Sequence, residues 1–169
     1  MNLEALSALD REAFVTELEG IFENSPWVAA AAWEQRPFAT FQALWASLVE
    51  AMNDAPEDQR RALICAHPDL AGAAARRGTL TAASTGEQTS SGLLTETEAT
   101  RRIASLNERY RARFGHPFIL AVRGLGPDEI LATFEARLQR SPEAEFSECL
   151  HQIGRIARFR LEDRFPFGA

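Results

Sequence analysis

Three features of the sequence predict an all-α fold, a helical bundle of about eight helices in one domain spanning 1–169. Ala, Leu, Glu and Arg dominate the chain, which favours helix over most of its length. Apolar residues recur at three- and four-residue intervals, whereas alternating runs of β-branched residues are absent. Prolines, glycines and capping residues fall at the edges of the periodic stretches, where helices start and stop. At 169 residues the chain is long enough to bury a core without cross-links, and no repeat, low-complexity tract or linker divides it.

Asp10 is placed as the N-cap of a helix reaching about to Asn24, with Phe14, Leu18, Ile21 and Phe22 as its apolar stripe. Ser25-Pro26 opens a second helix through Trp27 to Trp33, with proline at its first position. After Arg36-Pro37, a helix from about Thr40 to Met52 turns Phe41, Leu44, Trp45 and Leu48 inward. Asp54 and Pro56 begin the next, which carries Leu63 and Ile64. A proline disfavours helical geometry in the residue before it, so Pro68 should end this helix at His67 and leave the imidazole projecting from its tip. Asp69 is read as the cap of a short A-G-A-A-A-R-R helix.

Ser84-Thr-Gly-Glu87 and Thr95-Glu-Thr-Glu98 both match the reciprocal S/T-x-x-E capping pattern. The second opens a long helix to about Phe114, with Ile103, Leu106, Asn107, Tyr110 and Phe114 on one face and Gly115 as its C-terminal cap. His116-Pro117 stops that helix, and Phe118 to Gly126 forms an apolar connector. Pro127 to Arg140 and Ser141 to about Arg164 are the last two helices.

Net charge is −6 and the pI is near 5.2, which argues against a nucleic-acid surface, since that would need a basic face to displace counterions from phosphates. The N-terminal M-N-L-E-A-L-S-A-L-D lacks a signal peptide's basic start and apolar core, and no apolar run approaches membrane-spanning length. The final Phe-Gly-Ala is not a peroxisomal tripeptide. A cytoplasmic protein with no membrane or nucleic-acid partner is expected. Cys65 and Cys149 lie in helical stretches outside any metal spacing and read as reduced, buried thiols. His116 and His151 stand in no ligand spacing with His67, so no metal site is expected.

Arg160 stands out on helical geometry alone. Ile153, Ile156, Ala157, Arg160 and Leu161 share one stripe of the last helix, whereas Arg155 and Arg158 point away from it. An inward guanidinium needs a partner. Either an internal carboxylate pairs with it, or its planar fork awaits a carboxylate, urea or imide group of a ligand. Histidine as a residue type exchanges protons near neutral pH, and His67 is either a structural histidine or a proton-handling group. Glu87 serves as a capping residue or, with Gln88, as a ligand-binding pair. The amides around Ser84, Thr85 and Gly86 would then receive negative charge at a helix start. In the connector, Phe118 to Arg123 offers backbone amides either to the protein itself or to a ligand.

The order of these elements carries a resemblance. H-P-D-L-A-G, then S-x-x-E-Q with a following G-L, then N-x-x-Y-x-x-x-F-G-x-P-F and a late R-L are similar to the OHCU decarboxylase family, with S-P-W-V and R-P-F near the N-terminus extending the match over nearly the whole chain. OHCU is 2-oxo-4-hydroxy-4-carboxy-5-ureidoimidazoline, an intermediate between urate and allantoin. The resemblance implies an all-helical homodimer that uses no metal or organic cofactor. Its catalytic histidine falls on His67, beside Pro68, and its acid–amide pair on Glu87 and Gln88. Its substrate-binding loop falls on Ser84, Thr85 and Gly86, its second binding segment on Ile119, Leu120, Ala121, Val122 and Arg123, and its late arginine on Arg160. Two departures stand beside motif residues. His116 replaces the more usual Phe, and Ser90-Ser91 stand where Ala is frequent.

The implied reaction is cofactor-independent decarboxylation of OHCU to (S)-allantoin in urate catabolism. A lyase or hydrolase acting on another ureido or hydantoin compound would use similar groups. A non-catalytic helical ligand-binding or adaptor protein would share the core without needing an inward Arg160.

Overall fold

The computed structural model describes residues 1–165. The protein is all-α as expected, with ten α-helices, one 3₁₀ turn and no strand among the described residues. The helices are α1 (Leu3–Ser7), α2 (Arg11–Glu17), α3 (Pro26–Ala32), α4 (Phe41–Asp54), α5 (Glu57–Ala66), α6 (Ala73–Arg77), α7 (Ala82–Ser90), α8 (Glu98–Phe114), α9 (Pro127–Arg137) and α10 (Pro142–Arg164). None of them is long and apolar enough to cross a membrane. The C-terminal Phe-Gly-Ala lies outside the described residues.

The chain packs into two compact units, one comprising Met1–Ala66 with the chain from Gly154 on, the other His67–Ile153. In the first unit α1 was not foreseen. It is a single capped turn in which the Asn2 side chain accepts from the Ala5 amide at 2.8 Å. Asp10 caps α2 as expected, accepting from Ala13 N–H at 2.8 Å. That helix stops at Glu17, however, and the rest of its expected length is irregular, with Gly20 and Asn24 at positive φ. Leu18, Ile21 and Phe22 are buried all the same. Their spacing thus reports burial without a continuous helix. Pro26 opens α3 at its first turn, and Thr40 caps α4. Trp33 Nε1 donates to Leu9 O at 3.1 Å and Trp45 Nε1 to Gly154 O at 2.9 Å, which fastens α4 to the last part of the chain within this unit.

The second unit is built around α8. Its N-cap is Thr97, reciprocated by Thr100, two residues beyond the expected Thr95–Glu98 box. Gly115 closes it at φ 75°, a conformation that an L side chain resists. Tyr110, fully buried, is the hub of its inner face. Its ring lies 4.5 Å from Phe114, 5.4 Å from Phe118 and 5.5 Å from Phe134, and Phe118 stacks on Phe134 at 3.9 Å. Leu70, Leu93, Ile103, Leu106 and Ile130 complete this core. Cys149 is buried as expected, but Cys65 is exposed, because it faces away from the side of α5 that buries Leu63 and Ile64.

Candidate active site

All the sequence-predicted site residues except Arg160 belong to the second unit. α5 ends at Ala66, so His67 occupies the first position beyond the helix, followed by Pro68 as the steric argument required. The imidazole is buried, at 6% exposure. The loop after it is fixed by side chains from two helices. Gln88 Oε1 accepts from Ala71 N–H at 2.9 Å and its Nε2 donates to Asp69 O at 3.4 Å, while Asn107 Nδ2 donates to Leu70 O at 3.0 Å. Gly72 is required there, because a Cβ on it would lie 2.6 Å from Asp69 Cβ. Asp69 does not cap α6, whose N-cap is Gly72 with no side-chain bond. Its carboxylate instead accepts from Arg111 on α8, at 3.0 Å from Nη2 and 3.1 Å from Nε.

The expected Ser84–Glu87 capping box is not formed. α7 begins three residues earlier, with Thr81 accepting from Ser84 N–H at 3.3 Å, and the Thr85 amide is used within the helix by Thr81 O at 2.8 Å. Ser84 and Gln88, one turn apart, are buried on the inner face, whereas Thr85 and Gly86 are exposed and Glu87 is half-buried. The helix thus presents side chains to its surroundings, and the amides assigned to ligand binding at its start are largely consumed. Gln88 holds the loop that carries His67.

Ser91, a further turn along the same face, donates from Oγ to Val122 O at 2.8 Å. A single helix edge therefore ties the His67 loop, through Gln88, to the connector, through Ser91. Segment 119–122 has no strand partner, and side chains take that place. Arg137 Nη1 donates to Ile119 O at 2.5 Å, and Gln152 Oε1 accepts from Ala121 N–H at 3.0 Å. Ile119, Leu120, Ala121 and Val122 are buried and Arg123 is exposed.

Behind this segment lies a buried polar cluster. Arg137 Nε donates to Glu145 Oε1 at 2.6 Å, its Nη2 pairs with the same oxygen, and Tyr110 OH donates to that oxygen at 2.6 Å. The guanidinium also lies 4.4 Å over the Phe118 ring. Burial is the largest single effect and disfavours the Arg137 charge, but the hydrogen bond it donates to Glu145 and the charges of Cys149, Glu145 and Tyr110 together outweigh it and hold the guanidinium protonated. Burial, reinforced by the Cys149 and Glu145 charges, pushes the Tyr110 hydroxyl far above its ordinary range, so it stays a donor. Burial likewise raises the Cys149 thiol, against the opposing pull of Tyr110 and Arg137, so that sulfur is unreactive near neutrality. His116, buried at 1% exposure, joins this cluster with Nδ1 3.0 Å from Pro117 O and 3.9 Å from Cys149 Sγ.

The structure thus joins the loop after His67 and Pro68 to Gln88, and the 119–122 segment to Ser91 at the end of the same helix. Arg160 belongs to the first unit, where the expected stripe is present, with Ile156, Ala157, Arg160 and Leu161 all buried. Its Nη1 donates to Glu23 Oε2 at 2.9 Å and to Gly20 O at 3.0 Å. The internal carboxylate of the first reading is therefore real. His151 is solvated as expected, its side chain 68% exposed.

Arg137, Glu145 and Gln152 were missed in the sequence. The stripe argument that singled out Arg160 applies equally to α9, where Ile130, Phe134, Arg137 and Leu138 recur at i, i+4, i+7 and i+8 and are all buried.

A family model described as OHCU decarboxylase matches residues 7–162. The chain is 37% identical over 166 residues to the 2-oxo-4-hydroxy-4-carboxy-5-ureidoimidazoline decarboxylase of Haloferax volcanii, covering 98% of this chain and 96% of that one. It is 39% identical over 173 residues to the uric acid degradation bifunctional protein of a Bacillus strain, covering 99% of this chain but only 33% of that protein's length. Among solved structures, an (S)-allantoin synthase superposes with a TM-score of 0.76 at 32% identity, covering 98% of this chain and 54% of that one.

Proposed function

The chain belongs to the OHCU decarboxylase family, and from that membership we propose that it catalyses the decarboxylation of OHCU to (S)-allantoin in urate degradation. The observation that carries the assignment of this reaction to particular residues is the tie along α7. Through Gln88 and Ser91 it links the His67 loop to the 119–122 segment.

The chemistry needs no external electron sink. As the bond from C4 to the carboxylate breaks and CO₂ departs, its electron pair enters the adjoining ring C=N, whose nitrogen takes the charge. The ring nitrogen takes up a proton from solvent, the 4-hydroxyl gives up its proton and becomes the ring carbonyl, and a proton arrives at C5 on one face. The protein's task is to hold the substrate, stabilise the moving charge and deliver that proton. His67 bears on the 4-hydroxyl and carboxylate region and manages the proton. Glu87 and Gln88 fix the ring hydroxyl and nitrogens, and Pro68 walls the site beside the imidazole, while Ser84, Thr85 and Gly86 take their substrate role from the family resemblance alone, since their amides are largely consumed within α7. Ile119, Leu120, Ala121, Val122 and Arg123 hold the carbonyl and ureido groups through their backbone. Arg160 takes its substrate role from the family resemblance. The active form is a homodimer on the same ground, and we place it in the cytoplasm.

OHCU generated in situ from urate provides the test, with chiral allantoin followed by circular dichroism. Added protein should accelerate the appearance of the (S)-enantiomer well beyond spontaneous decay. Racemic allantoin at the spontaneous rate would leave a binding protein. Turnover of other ureido or hydantoin compounds in preference to OHCU would indicate a different lyase or hydrolase.

A further inference from the structure

We propose that Arg137 is a positioning residue for the substrate-binding segment 119–122, with Gln152 and Ser91 as its companion anchors. The inference rests on the reading that this segment binds substrate. A stretch outside any helix or sheet has no ladder to set its register, so its peptide groups point where its side-chain anchors send them.

The anchors alternate. Ile119 O is held by Arg137 and Ala121 N–H by Gln152, both from the α9–α10 side. Val122 O is held by Ser91, at the end of α7. In an extended chain the intervening Leu120 N–H and C=O then face the α7 side, the side that bears Gln88. Arg137 has little freedom to do anything else. Glu145 fixes its Nε and Nη2, Tyr110 fixes Glu145, and Phe118 covers the guanidinium plane, so that Nη1 is aimed at Ile119 O. Gln152 is braced in the same way, with Nε2 donating to Glu148 Oε1 at 2.7 Å. A buried ion pair is often no more stabilising than apolar residues of the same size. A fork locked on three sides and directed at one carbonyl fits a geometric task better than a stabilising one.

The test compares Arg137→Lys and Ser91→Ala with the parent protein on OHCU generated from urate. Lysine keeps a positive charge but cannot hold Glu145 and Ile119 together. KM should rise by roughly 10-fold or more in Arg137→Lys, with a smaller fall in kcat, because the loss is one of binding geometry. Ser91→Ala should raise KM by about 3-fold with an unchanged unfolding midpoint, and it serves as the test if Arg137→Lys does not fold. A purely structural role would lower the unfolding midpoint and leave KM unaltered at temperatures where the variants are folded.

Amide hydrogen exchange at Leu120 to Val122, read by NMR, needs no substrate. Faster exchange in the variants, with a parent protein inactive on OHCU, would uphold the anchoring and sink only the substrate assignment. An active parent, with exchange unchanged and KM within about twofold in both variants, would overturn the proposal.

Discussion

His67→Ala is expected to keep its helical circular dichroism and lose about 10² to 10⁴ in turnover of OHCU, the usual worth of one well-placed proton-handling side chain. The substitution falls one residue beyond the end of α5, outside any helical hydrogen-bond ladder that alanine could disturb. The loop that follows is held by Gln88 and Asn107. A large kinetic effect with little structural change is therefore the signature of a chemical role. His67→Gln should be nearly as slow, because an amide keeps a hydrogen bond but cannot carry the proton. Turnover within about threefold of the parent in either variant would remove His67 from the mechanism.

Arg160→Met should destabilise the protein by about 3–5 kcal/mol in urea unfolding, because it strips the guanidinium from a buried carboxylate. Glu23 is only 3% exposed and Arg160 7%, so water cannot replace the lost partner. Adding Glu23→Gln to Arg160→Met should recover much of the loss, since the pair is then replaced and no longer merely broken. The substrate role needs a different variant. Arg160→Lys preserves a positive charge beside Glu23 but replaces a planar fork with a point donor. Its kcat/KM should fall by about tenfold or more while the variant remains folded at the assay temperature. Unchanged kinetics in Arg160→Lys would make the arginine structural alone.

Local steric rules, legible in the sequence, decide where several helices begin and end. Pro68 ended α5 beside His67, Gly115 closed α8, and Asp10, Thr40 and Pro26 marked helix starts. Helical periodicity placed Arg160 on a buried face. It could not supply the partner, because Glu23 lies 137 residues away in the chain. Local rules failed where two capping patterns competed. Thr81 took the start of α7 from Ser84, and Thr97 took the start of α8 from Thr95. Asp69 had a local helix to cap and went instead to Arg111, a partner 42 residues distant. The support of the connector was invisible for the same reason. Ser91, Arg137 and Gln152 come from three separate elements, and only the folded chain brings them to Ile119, Ala121 and Val122.

A crystal structure of the protein soaked with (S)-allantoin tests the assignment of these residues most directly. The product should lie within hydrogen-bond reach of the His67 imidazole, with its other polar atoms on the 84–88 stretch and on backbone groups of 119–123. Allantoin bound at a distance from His67, touching neither of those segments, would contradict the account.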